Sequence, residues 1–210
     1  MGDFNEVISE EEKSGGNPIC QRRVRAILDC MNECQMMDFG FLGPKFTWTN
    51  KRELGGLIQC RLDRCWANPS WKASFSEANM THLARVNSNH CPLLLNLYPN
   101  LVVNSIRPFR FQPMWLSHKD FPAIVRESWE GRDEDLFGAV SSFTQKAQTW
   151  NKEVFGNIFV RKRQIMARLL GTQRAFANNP NNFLINLQEQ LSEEYNMLLQ
   201  LEEELWGNEV

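Results

Sequence analysis

Three short segments place ionisable or strongly hydrogen-bonding side chains beside strand-like residues: Gly2-Asp3-Phe4-Asn5, Arg61-Leu62-Asp63-Arg64 and Ser88-Asn89-His90-Cys91-Pro92-Leu93. Their carboxylates, amides and imidazole can hydrogen-bond, and the Asp and His side chains can also titrate. Each segment alone has an ordinary structural reading. An Asp at a turn closes an Asx turn or caps a helix, an Asp between two arginines is a salt-bridged strand residue, and a single His satisfies its ring within the fold. What makes the three specific is their order along the chain, with the run Phe46-Thr47-Trp48-Thr49-Asn50 between the first two. A fourth charged feature, Arg161-Lys162-Arg163, could touch a nucleic-acid backbone, although so short a basic run is ordinarily a solvated face.

The elements that must position these residues are of two kinds. Up to about residue 110 the chain is broken every few residues by Gly, Pro and Asn and carries short runs such as Lys45-Phe46-Thr47-Trp48-Thr49-Asn50 and Leu93-Leu94-Leu95-Asn96-Leu97, which read as short strands. One helix interrupts them from Arg22 to about Met37, where Val24, Ile27, Leu28, Met31 and Cys34 recur at three- and four-residue spacing. From about Trp115 the spacing turns helical. Ser117 to Trp129 predicts a short helix, Leu136 to Phe176 a long one, and Leu184, Leu187, Leu191, Tyr195, Leu198, Leu201 and Leu205 a further helix close to a heptad seam. The Asn178-Asn179-Pro180-Asn181-Asn182 stretch between the last two predicts an antiparallel hairpin. Glu202, Glu203 and Glu204 stand where the helix dipole disfavours negative charge; either the helix tolerates them or the native polypeptide continues past Val210.

Composition excludes several classes. With 210 residues, 42% apolar and 23% charged, and a net charge of −2, the chain is neither disordered nor fibrous. Its length suits one domain or two small ones. The acidic start is not a secretory signal, Gly2 lacks the Ser or Thr of a myristoylation motif, and no apolar run approaches a bilayer span. The six cysteines show no metal or redox spacing, so they read as buried apolar residues of an intracellular protein. Residues 1–110 hold 13 basic and 11 acidic side chains, and residues 111–210 hold 10 and 14.

Taken together, the ordered segments resemble the endonuclease/exonuclease/phosphatase superfamily, most closely the apurinic-type endonuclease domain of plant non-LTR (LINE-type) retrotransposon polyproteins. The likeness covers the back half of that domain, residues 1–97. Phe109-Arg110-Phe111-Gln112-Pro113-Met114-Trp115, Trp150-Asn151-Lys152-Glu153-Val154-Phe155-Gly156-Asn157-Ile158 and Glu202-Glu203-Glu204-Leu205-Trp206 resemble the helical region joining endonuclease to reverse transcriptase. The resemblance implies an α+β architecture: the truncated half of a four-layer α/β sandwich, a mixed β-sheet with a flanking helix, over 1–97. A connector with a short helix would follow over 98–135, then an all-α segment with a long antiparallel hairpin over 136–206.

It also implies roles. Asp3 and Asn5 would orient and deprotonate the attacking water of phosphodiester hydrolysis, and Asp63 would fix the tautomer of His90 beside the scissile phosphate. Arg61 and Arg64, with Arg161, Lys162 and Arg163, are the candidate nucleic-acid contacts. Mg²⁺ is the implied cofactor and DNA the implied partner, with a nuclear location and no membrane association; the Leu seam also suits self-association. Two departures stand out. The family's last motif has Asp-His where this chain has Asn89-His90, so Asn89 replaces an expected charge near the metal. The family's Glu metal ligand, first Asn and phosphate-contacting Tyr precede the Gly-Asp-Phe-Asn strand and have no counterpart here. The expectation is therefore a nuclease remnant inactive by itself, whose sheet residues Phe46, Trp48, Leu62, Trp66, Leu94 and Leu97 face solvent or a substitute partner. The alternative is a non-catalytic helical interaction or nucleic-acid-binding scaffold.

Overall fold

The computed structural model describes residues 1–100, 108–112, 115–116, 118–131, 135–154 and 156–206, with the side chains of residues 157 and 204–206 excepted. Pro113, Met114, Ser117 and Phe155 of the expected connector and linker motifs lie outside the described residues. The described fold is α+β, and its strands are short. The strands run for two to four residues, several of them stopped near a Gly, Pro or Asn, and they form a set of small antiparallel ladders. They comprise β1 (Gly2–Asp3) with β6 (Asp63–Arg64), β2 (Lys13–Ser14) and β4 (Trp48–Thr49) on either side of β5 (Gln59–Cys60), β3 (Met37–Asp38) with β7 (Trp66–Ala67), and β8 (Asn79–His82) with β9 (Leu93–Asn96).

Two helices belong to this region. The first, α1 (Gln21–Glu33), is shorter than its apolar spacing predicts, and the reason is local. Gln35 takes a left-handed φ of 54° while the N–H groups of Gln35 and Met36 return to the carbonyls of Asn32 and Met31, at 2.9 and 2.8 Å. This double closure ends the helix and releases Met37 to pair with Ala67. The second, α2 (Pro69–Ser74), starts with Pro at its first position and with the Asn68 side chain accepting from the Trp71 N–H at 2.8 Å. Gly43 allows one close approach: at φ +105° its missing Cβ would lie 2.5 Å from the His82 carbonyl oxygen, so the 42–44 segment can lie against β8.

The remaining helices are α3 (Phe121–Trp129), α4 (Leu136–Val154), α5 (Gly156–Asn178) and α6 (Asn182–Trp206). The long helix expected over 136–176 is described as α4 and α5, which flank Phe155. The Asn/Pro connection shrinks to residues 179–181, because Asn181 caps α6 by accepting from the Leu184 N–H at 2.9 Å.

The chain forms two compact units, and neither is continuous in sequence. The first joins Met1–Val102 to Met166–Ser192, and the second joins Val103–Ile165 to Glu193–Val210. In the first, Gln173 of α5 is stitched to the backbone of Arg85, accepting from its N–H at 3.0 Å and donating to its carbonyl at 2.8 Å. Both residues are buried, as are Val7, Val24, Phe46, Met80, Leu169, Phe176 and Leu191. Of the sheet residues expected to face solvent or a substitute partner, Phe46 is only 3% exposed, Leu94 is 49% exposed, and Trp48, Leu62, Trp66 and Leu97 are half-buried. The second unit packs around Trp115, Phe121, Ala147 and Trp150, with the Trp115 indole donating to Asn151 at 2.8 Å. Glu202, the first of the C-terminal acidic run, meets Lys162 in an ion pair that offsets its place late in α6.

Candidate functional site

Asp3 and Asp63 are direct cross-strand partners in the β1–β6 ladder, so their side chains leave the same face as neighbours. Asp3 Oδ1 accepts from the Asn5 N–H at 2.8 Å, an Asx turn that holds Asn5 at a left-handed φ of 51°. His90 arrives from a different direction, bridged to Trp48 of β4. Its Nδ1 lies 3.0 Å from Asp63 Oδ2, and ligand atoms of Asp3, Asp63 and His90 all lie within 4.8 Å of one another. The structure brings these three predicted residues together and sets Asn5 next to them in sequence.

Thr47 supplies the join. Fully buried, it accepts through Oγ1 from the N–H groups of Leu62 and Asp63, at 2.9 and 3.0 Å. Its own N–H donates to the Cys60 carbonyl at 2.9 Å, and its carbonyl accepts from the Cys91 N–H at 2.8 Å. One residue therefore ties the strand bearing Asp63 to the segment bearing His90. The Asp63 side chain is 11% exposed and that of His90 33%, which leaves the imidazole as the accessible end of the pair. With Nδ1 turned to Asp63 Oδ2, Nε2 is the ring atom left to face a substrate.

Beneath this face lies a buried ion-pair group that the sequence does not announce. Arg61 donates to Glu12 and Asp38 at 2.8 and 2.7 Å; Arg64, wholly buried, donates to Asp38 at 2.8 Å and to both carboxylate oxygens of Glu12. Burial pushes the Glu12 carboxyl up, but hydrogen bonds from Arg64 and the Ile8 N–H and the charges of both arginines outweigh it, so its pKa falls below the ordinary value. Asp38 behaves alike, burial being opposed by Arg61, the Gly40 N–H and Arg64. Arg61 and Arg64, expected as nucleic-acid contacts, are instead buried and ion-paired with Glu12 and Asp38. In the second basic run, Arg161 pairs with Glu194 at 2.9 Å and Lys162 with Glu202, while Arg163 is exposed. The other buried imidazole is structural: His82 stacks on Phe41 and sits 2.7 Å from the Pro44 carbonyl, and burial pulls its pKa down.

The Asp3, Asp63 and His90 donors do not by themselves fit Mg²⁺. That ion wants oxygen ligands in near-octahedral array, whereas here one donor is an imidazole nitrogen already bonded to Asp63, and Asp3 Oδ1 is held by the Asn5 N–H. Asn89, the expected substitute for a metal-side Asp, is exposed, and its backbone carbonyl accepts from the Thr49 N–H at 3.1 Å. The arrangement suits proton transfer and hydrogen bonding to an oxyanion. No family model, curated protein or solved structure matches the chain.

Sequence reasoning missed Thr47, Glu12 and Asp38. Thr47 sits inside the quoted strand run with nothing to single it out, and Glu12 is the last residue of an acidic triplet that reads as solvated. No helix among the described residues is long and apolar enough to cross a membrane.

Proposed function

We propose that residues 1–97 are the His-bearing half of a metal-dependent DNA endonuclease domain of the endonuclease/exonuclease/phosphatase type, from a LINE-type retrotransposon, and that the later helices are its linker toward a reverse transcriptase. The observation that carries this reading is the meeting of Asp3, Asp63 and His90, the first two 60 positions apart in sequence, with His90 Nδ1 held 3.0 Å from Asp63 Oδ2. In such a domain Asp63 orients the ring, and His90 donates to a phosphate oxygen as negative charge builds there. Asp3 and Asn5 hold the attacking water.

On this reading the short ladders are one half of a four-layer sandwich. The ion pairs Arg161 to Glu194 and Lys162 to Glu202 support an antiparallel α5–α6 hairpin. The chain by itself is not a working nuclease, since the family's Glu, Asn and Tyr have no counterpart among its residues and Asn89 lacks the charge of the expected Asp. The test is plasmid nicking in Mg²⁺. The 210 residues alone should leave the plasmid supercoiled, and adding the family's complementary half in trans should produce nicks that His90→Ala abolishes. Nicking unaffected by His90→Ala would refute the assignment.

A second reading, a helical interaction scaffold, draws on the apolar surface of the second unit, where Leu136 is 64% and Phe137 87% exposed.

A further inference from the structure

A cavity of about 220 Å³ lies within the first unit, lined by residues that the Asp63–His90 pair does not use. One wall is the 50–58 loop, which is built as a rigid presenter. Asn50 clamps it from inside, Nδ2 donating to the Gly56 carbonyl at 2.8 Å and Oδ1 accepting from the Ile58 N–H at 2.9 Å. Lys51 is held at a left-handed φ of 54°, a strained state for a non-glycine residue of the kind that gathers at ligand clamps. Lys51 and Arg52 both line the cavity, both are exposed, and among the described residues neither side chain has an ion-pair partner. The facing wall includes Phe176 of α5 with Ile185 and Glu189 of α6.

The third cation is the informative one. Arg85 also lines the cavity, yet it is only 5% exposed. Its guanidinium donates to the Phe46 carbonyl at 3.0 Å, and among the described residues no carboxylate pairs with it. A buried cation without a counter-charge is costly, and burial pulls its pKa down accordingly. The cavity thus holds three cationic residues against the single carboxylate of Glu189, beside an apolar wall.

We propose that this cavity binds a small organic phosphate with a planar apolar body, a nucleoside monophosphate by class, whose phosphate supplies the anion that Arg85, Lys51 and Arg52 lack and whose base lies against Phe176 and Ile185. The volume, below the roughly 300 Å³ at which drug-sized pockets begin, limits the occupant to one nucleotide. That nucleotide is either free or the 5′-phosphorylated end of a DNA strand. The proposal does not depend on nuclease activity.

Calorimetric titration of the full chain tests it with three probes: inorganic phosphate, dAMP and a 5′-phosphorylated oligonucleotide. dAMP should bind more tightly than inorganic phosphate, Arg52→Glu should weaken it about tenfold or more, and Glu189→Gln should tighten it. Arg52 and Glu189 are both exposed, so the two variants should fold as the parent does. Tighter binding of the oligonucleotide than of dAMP assigns the site to a strand end, and equal or weaker binding assigns it to a free nucleotide. Absence of dAMP binding at millimolar concentration, binding no tighter than inorganic phosphate, or binding that neither substitution changes would each overturn the proposal.

Discussion

Thr47 does more for the candidate site than its size suggests, because its hydroxyl satisfies two buried backbone donors while its peptide groups reach Cys60 and Cys91. Thr47→Val keeps the shape and strands those donors. The expected cost is about 2–4 kcal/mol, read as a lower denaturant midpoint, with Thr47→Ser close to the parent. The substitution should also loosen the His90–Asp63 hydrogen bond, seen as loss of the downfield Nδ1–H proton resonance. Glu12 gives a pH test. Its pKa and that of Asp38 are lowered on folding, so the unfolded chain binds more protons in acid. The stability they contribute is complete above the ordinary carboxylate range and is lost as pH falls through that range toward their depressed folded values. Urea midpoints measured from about pH 6 downward should therefore fall, and Glu12→Gln should flatten the slope while costing about 3 kcal/mol or more at neutral pH, since it unbalances two buried arginines.

At the scale of elements, the sequence was most legible where a local rule decides the outcome. Val24, Ile27, Leu28 and Met31 placed α1, and the Leu93–Leu97 run placed β9. The end of α1 was not legible, because Gln35 in a left-handed turn is no better marked in sequence than any other Gln. Nor was what α5 meets, since its apolar spacing is the same whichever segment covers it. Gln173 settles that by bonding both peptide groups of Arg85. Gln173→Leu should retain the helical far-UV signal yet lower the unfolding midpoint by about 2–4 kcal/mol, since the Arg85 N–H and carbonyl are left buried and unsatisfied. An unchanged midpoint would mean that α5 does not help to hold the first unit together.

For the whole molecule, two discontinuous units mean that neither is available to a chain cut at residue 100. Such a chain loses the 166–192 segment whose Gln173 holds the Arg85 backbone, and it should be unfolded or aggregated by circular dichroism and light scattering. The intact fold makes a contrasting prediction for its thiols. Cys20, Cys30 and Cys34 are exposed and free, whereas Cys60, Cys65 and Cys91 are buried, with burial pushing the Cys91 thiol up to about 12. A thiol reagent should label three cysteines in the native protein and six after denaturation. This corrects the expectation that all six are core residues: three are, and α1 with its flanks carries the others on its wet side.

The sequence alone determined the residue types available for chemistry, the α+β class and the order of the Asp3, Asp63 and His90 segments, because these follow from local periodicity and from linear order. Only the tertiary structure decided which groups meet. Cross-strand register put Asp3 opposite Asp63, Thr47 carried His90 to the same face, and burial turned Arg61 and Arg64 inward to Glu12 and Asp38. Register, burial and long-range pairing depend on residues dozens of positions apart, and no window of sequence contains them.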